Sequence, residues 1–527
     1  MSKKVAIFDS SLRDGAQAEG ISFSVEDKLK VLELLDEHGV DYVEAGNPGS
    51  NPKDLEFFER ARKIVLRHAK LAAFGSTRRR GIRVEDDANV QSMLLADTPV
   101  VVIFGKSWDF HVTEIIRTTL EENLAMIRDT LAFFKGQGKE VIYDAEHFFD
   151  GYKHNADYAL KTLQAAVDGG ADCLVLCDTN GGTFPSEVAD IVKTVFARFK
   201  VPVGIHAHND CGMAVANSVI AVESGARHVQ GTYIGYGERC GNANLSTIIA
   251  NLGVKRGYEC LRPGEFRHIT RTARHMAAIS NVALNERDPY VGNCAFAHKG
   301  GMHIDGVGKA SQSFEHVDPE MVGNQRRFLV SEVSGRSMIL ERVREVDATI
   351  TKDDAVTDRI VKRIKELEHE GYQFEGAEGT FELVIRKELG KYRSFFELEH
   401  FKIIGEQPAN GEYSSSAIIK IKVDGKDEIT AAEGDGPLHA LDRALRKVLD
   451  GFYPELSNVH LIDFKVRVID GQEATAAKVR VLLQSTDGDV VWTTVGVSTD
   501  IIEASWLALV DSIDYKLLKL EEALQSV

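Results

Sequence analysis

Eight short runs rich in Val, Ile and Ala recur before residue 260: VAIF from 5, DYVEAG from 41, KLAAFGS from 70, VVVIFG from 100, EVIYDAE from 140, DCLVLCD from 172, VPVGIHAH from 201 and HVQGTYI from 228. Apolar and polar residues do not alternate within them, the pattern of parallel strands buried on both faces. The intervening segments have helical period. In SVEDKLKVLELLDEHG, Ser24 is placed as N-cap and Gly39 just past the end. Eight strand-plus-helix units predict an α/β chain whose residues 1–265 close into a (β/α)8 TIM barrel, with reactive groups on the loops that follow the strands. An open doubly wound sheet is the alternative, but no Gly-x-Gly-x-x-Gly follows the first strand.

A chain of 527 residues is too long for one core. Residues 266–375 read as helical linker subdomains: EFRHITRTARHMAAISNVAL is helical, the following NCAFAHKGGMHIDGVGKASQSFEHVDPEMVG is irregular with Gly300-Gly301 as a candidate hinge, and TDRIVKRIKELEHEG is a charged helix. Residues 376–527 form an α+β unit that repeats itself. IIKIKVDGKDEIT aligns with VRVLLQSTDGDVVWTT through the hairpin turns Asp424-Gly425 and Asp487-Gly488, and Ala440, Ala444 and Leu445 of the next helix align with Ala504, Ala508 and Leu509. Two hairpin-helix copies suggest a pseudo-twofold domain that senses a ligand or forms a dimer.

The 80 acidic against 63 basic residues, a formal charge of −17, disfavour nucleic acid and anionic membrane as partners. An anionic substrate therefore has to meet a locally basic pocket. Six cysteines without a CxxC pair argue against a disulfide framework or structural zinc and fit a reducing cytoplasm. Neither a signal peptide nor a membrane span is expected.

In VGIHAHND, His206 and His208 stand two apart on a strand, so both leave one face and can share an ion. They end the seventh strand, on the same rim as Arg13-Asp14 in SSLRDGAQAEG after the first and GYGERCGN after the eighth. Asp14, His206, His208 and Asn242 would make an oxygen and nitrogen ligand set with open positions, suited to Zn²⁺, Mn²⁺ or Mg²⁺. Arg13 can then point at an oxygen polarised there. Two more strand ends supply Glu146, a base or a structural partner for an arginine, and Thr179, whose hydroxyl can meet a carboxylate. The run Arg78-Arg79-Arg80 is either a solvated charge run or an anion contact.

Taken together, SLRDG, HAHND and GYGERCGN resemble the signature of the DRE-TIM metallolyases. AHKGGMHIDG narrows the resemblance to the Claisen-condensing synthases, which include 2-isopropylmalate, homocitrate and citramalate synthases. Within that group DGAQAEGISFSVEDK, EAGNPGSNPKD, GKSWDFHV and FDGYKHNADYA look most like the members that join acetyl-CoA to pyruvate, and the repeated C-terminal unit looks like their regulatory domain. The resemblance implies that Asp14, His206 and His208 bind the divalent metal, with Asn242 a further or outer ligand, and that Arg13 polarises the 2-oxo group. It implies that Thr179 takes the substrate carboxylate, that His111 lines the oxo-acid pocket, and that Glu146 and His303 assist deprotonation of the acetyl methyl. His303 would act in the partner subunit of a homodimer. An amino-acid effector, isoleucine, would bind the C-terminal domain and inhibit its own synthesis.

Three departures from the family pattern stand out. Phe314 replaces a common tyrosine, Ser10-Ser11 replace two threonines, and Asp144 stands where relatives carry serine or a larger residue. An acid at 144 disfavours a second substrate carboxylate, and so 2-oxoglutarate. The alternatives are a 2-isopropylmalate synthase acting on 2-oxoisovalerate, a homocitrate synthase, a metal-dependent lyase or aldolase on the same barrel, and a catalytically silent sensor. A methyl pocket differs from an isopropyl pocket by only about 1–3 kcal/mol, so the residues alone do not rank pyruvate over 2-oxoisovalerate.

Overall fold

A computed structural model describes residues 3–49, 52–328, 336–351, 354–374, 376–406, 414–469 and 477–525. The eight apolar runs become eight parallel strands: β1 (Ala6–Asp9), β2 (Tyr42–Glu44), β3 (Lys70–Ser76), β4 (Val100–Lys106), β5 (Glu140–Glu146), β6 (Cys173–Asp178), β7 (Val203–Ala207) and β8 (His228–Gly231). They close in sequence order, β8 pairing with β1 through Asp9 and Gly231 and β7 with β8 through His206 and Gln230. The TIM barrel expected from the runs is therefore the fold.

Alternation reappears inside the apolar runs as a choice between two cores. Phe8, Val100, Val102, Ile142, Cys173 and Val175 fill the barrel interior, while Ile7, Val101, Ile103, Val141 and Leu174 pack outward against the helices. The first helix, α1 (Val25–His38), starts on a reciprocal capping box. Ser24 accepts from the Asp27 N–H, Asp27 accepts from the Ser24 N–H, and the helix ends at Gly39 in the left-handed region (φ 88°).

Two compact units form: Met1–Ala297 with Phe314–Arg327, and His298–Ser313 with Phe328–Val527. In the first, the helix read from EFRHITRTARHMAAISNVAL is shorter than its pattern. A 3₁₀ turn at Glu265–His268 leads into α2 (Ile269–Ile279), and Asn281 beyond it is left-handed (φ 53°). In the second unit, α3 (Gly301–Lys309) starts at the expected glycine hinge. Gly300 is its extended N-cap, and neither glycine of the pair takes a positive φ. The charged helix α4 (Ala355–Glu370) stops at Gly371 (φ 112°).

The C-terminal repeat is fuller than a hairpin and a helix. Each copy has three antiparallel strands, β9 (Phe396–Glu406), β10 (Ser414–Val423) and β11 (Lys426–Gly434) followed by α5 (Pro437–Leu449), then β12 (His460–Val468), β13 (Val479–Thr486) and β14 (Val491–Ser498) followed by α6 (Ile501–Gln525). Asp424 (φ 48°) and Gly425 (φ 78°) make a two-residue turn of the kind that left-handed Asp-Gly favours. The turn at Asp487-Gly488 is longer, with the Asp487 N–H donating to the Val490 carbonyl. Ala440, Ala444, Leu445, Ala504, Ala508 and Leu509 share one core. The outer strands β9 and β12 both break register, between Leu398 and His400 and between Leu461 and Asp463.

A Cβ built on Gly231, at the end of β8, would lie 2.3 Å from the Ala243 carbonyl oxygen. Gly231→Ala is therefore expected to lower barrel stability by about 1–3 kcal/mol, read as a fall in the midpoint of urea unfolding.

Candidate active site

The loop after β1 is folded on its own acid. The Ser11 N–H and hydroxyl donate to Asp9 at 2.8 and 3.1 Å, and the N–H groups of Arg13 and Gly15 return to the Ser10 carbonyl. This turn aims Arg13 and Asp14 over the barrel mouth. Asp14 is 3% exposed. Its Oδ2 lies 3.2 Å from His206 Nε2 and 3.7 Å from His208 Nε2, and the two imidazole nitrogens are 3.4 Å apart. Asp14, His206 and His208 thus bring three ligand atoms within 4.8 Å of one another, a possible metal site.

Asn242 reaches the same place by backbone pairing. Residues 241–243 run beside the end of β7, with the Asn209 N–H bonded to the Gly241 carbonyl, the Ala243 N–H to the Ala207 carbonyl, and His208 opposite Asn242. Both amide atoms of Asn242 and the Nδ1 of His208 are buried without a hydrogen-bond partner among the described residues. An unsatisfied buried amide costs about 1–3 kcal/mol. A carboxylate, two imidazoles and an amide oxygen, with no thiolate, are donors that fit Zn²⁺, Mn²⁺ or Mg²⁺.

Charge is balanced tightly here. Burial pushes the Asp14 carboxyl up, but Arg13 (NH1 to Oδ2, 3.3 Å), His206 and His208 outweigh it and hold the group well below the usual carboxylate range. Burial also lowers both histidines. The Asp14 contact overrides it at His206, which is raised, whereas His208 is pushed down to about 4 by burial and by its neighbour His206. Asp144 on β5 is pushed up to about 7 by burial and by Glu44, with His206 and Arg13 pulling the other way.

Arg13 is fixed on three sides. Its Nε donates to Glu44 Oε2 at 2.6 Å, NH1 faces Asp14, and the guanidinium lies 3.8 Å over the Phe74 ring. Ser10 also donates its hydroxyl to Glu44. Thr179 accepts from the His147 N–H at 2.9 Å, which leaves its own O–H for another acceptor. His147 has the left-handed φ of 55° that this contact requires. His111 opens a π-helical turn, stacked 5.1 Å from Trp108 and 4.2 Å from His147, and burial lowers its pKa. Glu146 pairs with Lys106, not with an arginine. His303 is exposed on α3 in the second unit, and Phe314 is 43% exposed in the first. Arg78 is a buried structural residue bonded to Glu122 and Asp129 at 2.7 and 2.8 Å, and Arg79 and Arg80 are exposed.

A family model described as HMGL-like matches residues 4–276, one described as homocitrate synthase post-HMGL domain-like matches 290–372, and the LeuA allosteric (dimerisation) domain matches 375–517. Proteins named (R)-citramalate synthase from Aquifex aeolicus and Geobacter sulfurreducens are each 51% identical to this chain. The first alignment covers 99% of both chains and the second 98% of both. The chain belongs to the (R)-citramalate synthase family. A Methanopyrus kandleri protein named "Probable 2-isopropylmalate synthase" covers 98% of both chains at only 32% identity.

Two site residues of this citramalate synthase family member escaped the sequence reading. Glu44 is the acid that ends the strand within DYVEAG, and Gln230 is a polar residue inside HVQGTYI. Both are fully buried, so a polar residue within an otherwise apolar strand was the available signal. Asp14→Asn and His208→Ala are expected to weaken Mn²⁺ binding by about 100-fold or more, whereas Glu146→Gln, outside the three-donor cluster, leaves it unchanged. Titration followed by water proton relaxation checks this.

Proposed function

We propose that this chain condenses acetyl-CoA with pyruvate and hydrolyses the resulting thioester, giving (R)-citramalate and free CoA. The observation that carries the chemistry is a buried guanidinium, held by Glu44 and Phe74, beside a cluster of three metal-type donors. Pyruvate as acceptor rests on the full-length identity to the citramalate synthases.

Asp14, His206 and His208, with Asn242 a further or outer ligand, would hold a divalent cation (Zn²⁺, Mn²⁺ or Mg²⁺) whose contribution is Lewis-acid polarisation of the 2-oxo group. Arg13 donates to the same oxygen and stabilises the alkoxide that forms when the acetyl carbon attacks the ketone carbon. Because Glu44 and Phe74 already fix the side chain, little reorganisation accompanies that charge development. The free O–H of Thr179 donates to the pyruvate carboxylate, and His111 lines the pocket. Glu146, oriented by Lys106, takes the proton from the acetyl methyl, assisted by His303 from the partner subunit. The exposure of His303 on α3 supports a group offered outward. The alkoxide takes up a proton in place of the one removed from the methyl; water then attacks the thioester carbonyl, the C–S bond breaks, and CoA leaves as the thiol with one of the water's protons.

The reading extends to a homodimer with an amino-acid effector site, isoleucine by pathway logic, in the C-terminal unit. The LeuA match and the exposed apolar residues of β12 (Leu461, Ile462, Phe464, Val466, Val468) support it. Residues 266–375 would connect the barrel to that unit, residue 375 lying outside the described residues. Six free cysteines accord with a cytoplasmic setting, and no helix among the described residues is long and apolar enough to cross a membrane.

Free-thiol release from acetyl-CoA over a panel of 2-oxo acids should be fastest with pyruvate. Faster release with 2-oxoisovalerate overturns the pyruvate assignment, and release with none overturns the synthase reading. Glu44→Gln should lower kcat by about 10²–10³-fold. Asp144→Ser should raise kcat/KM for 2-oxoglutarate relative to pyruvate by about tenfold, equivalent to 1.4 kcal/mol, because it removes an acid from the pocket wall.

A further inference from the structure

Gln230, fully buried at the inner face of β8, joins two groups that otherwise do not touch. Its Oε1 lies 2.9 Å from His206 Nδ1, and its Nε2 donates to Asp144 Oδ1 at 3.0 Å. The barrel register imposes this triad, since His206 on β7 is the cross-strand partner of Gln230.

The orientation of the amide follows from donors and acceptors. The Nε2 end of Gln230 lies at Asp144 Oδ1, to which it donates, and the carbonyl end faces His206. A carbonyl can only accept, so Nδ1 of His206 carries the proton. Nε2, which faces Asp14 Oδ2 at 3.2 Å, is then the nitrogen left to ligate a cation.

We propose that Gln230 is a positioning residue that passes the polarity of Asp144 to His206 and fixes the tautomer in which Nε2 binds the divalent cation. Asp144 accordingly has a second duty besides shaping the pocket wall: it locks the amide against rotation. The inference rests on the metal-dependent reading above. It does not depend on which 2-oxo acid is used, because its test contains no substrate.

The test measures the dissociation constant for Mn²⁺ alone by water proton relaxation, on the full chain, with circular dichroism as the folding control. Gln230→Met, nearly the same shape without the amide, should weaken binding by about 10–100-fold. Gln230→Glu keeps an acceptor opposite Nδ1 and should stay within about threefold of the wild type. A cycle separates the relay from simple charge loss. Asp144→Leu should weaken binding several-fold when Gln230 is present and much less when residue 230 is already glutamate, which has no amide to orient. Equal Mn²⁺ affinity in wild type and Gln230→Met, or an Asp144→Leu cost that is the same in both backgrounds, overturns the relay. If Gln230→Met fails to fold, the glutamate cycle decides alone. A wild type that binds no Mn²⁺ overturns the metal reading and this inference together, an outcome distinct from a bound wild type with indifferent variants.

Discussion

A carboxylate taken out of water has to be surrounded by cations or donors, and Asp14 meets that demand with Arg13, His206 and His208 at 3.3, 3.2 and 3.7 Å. The remaining architecture of the mouth follows from this one requirement. Arg13 is itself shared between Asp14 and a second carboxylate, Glu44. Glu44 in turn is accommodated because Ser10 and Arg13 both donate to it. Five charged or imidazole groups are thereby held within a few ångströms, and none can move without exposing another to an unpaired burial cost.

The closed sheet makes this possible because strands distant in sequence become neighbours at fixed register. β7, β8 and β1 are adjacent, which sets the histidine pair beside the Arg-Asp turn. Beneath it the interior is filled by Phe8, Val102, Ile142 and Val175, so the polar groups stand on a packed apolar floor. That floor is what makes burial strong enough to move Asp144 to about 7.

How much of this was legible depended on whether a residue's partner was near it in sequence or carried a recognisable spacing. The strands were legible because parallel strands under helices are apolar throughout. The His-x-His pair and the Arg-Asp turn were legible because strand ends have one functional side in a barrel. Glu44 and Gln230 were not. Their partners lie 31 and 34 residues away in one case and 24 and 86 in the other, and a single acid or amide in a strand carries no spacing of its own. Arg78 was ambiguous for the same reason, its two carboxylates lying 44 and 51 residues on. The third strand of each C-terminal copy went unread because FELEHFKIIGE and HLIDFKVRV interleave charges with apolar residues and lack an adjoining Asp-Gly turn. The glycine pair at 300–301, read from composition as a candidate hinge, lies where a helix starts, with Gly300 as its extended N-cap.

The matching kinks of β9 and β12 have a consequence for how the C-terminal unit can meet other proteins. Each kink falls on a rim strand of its three-stranded sheet and interrupts the row of outward N–H and C=O groups that another extended segment would need to zip onto. The unit can therefore offer the greasy surface of β12 for face-to-face association while the kinked border of each sheet resists edge-to-edge pairing.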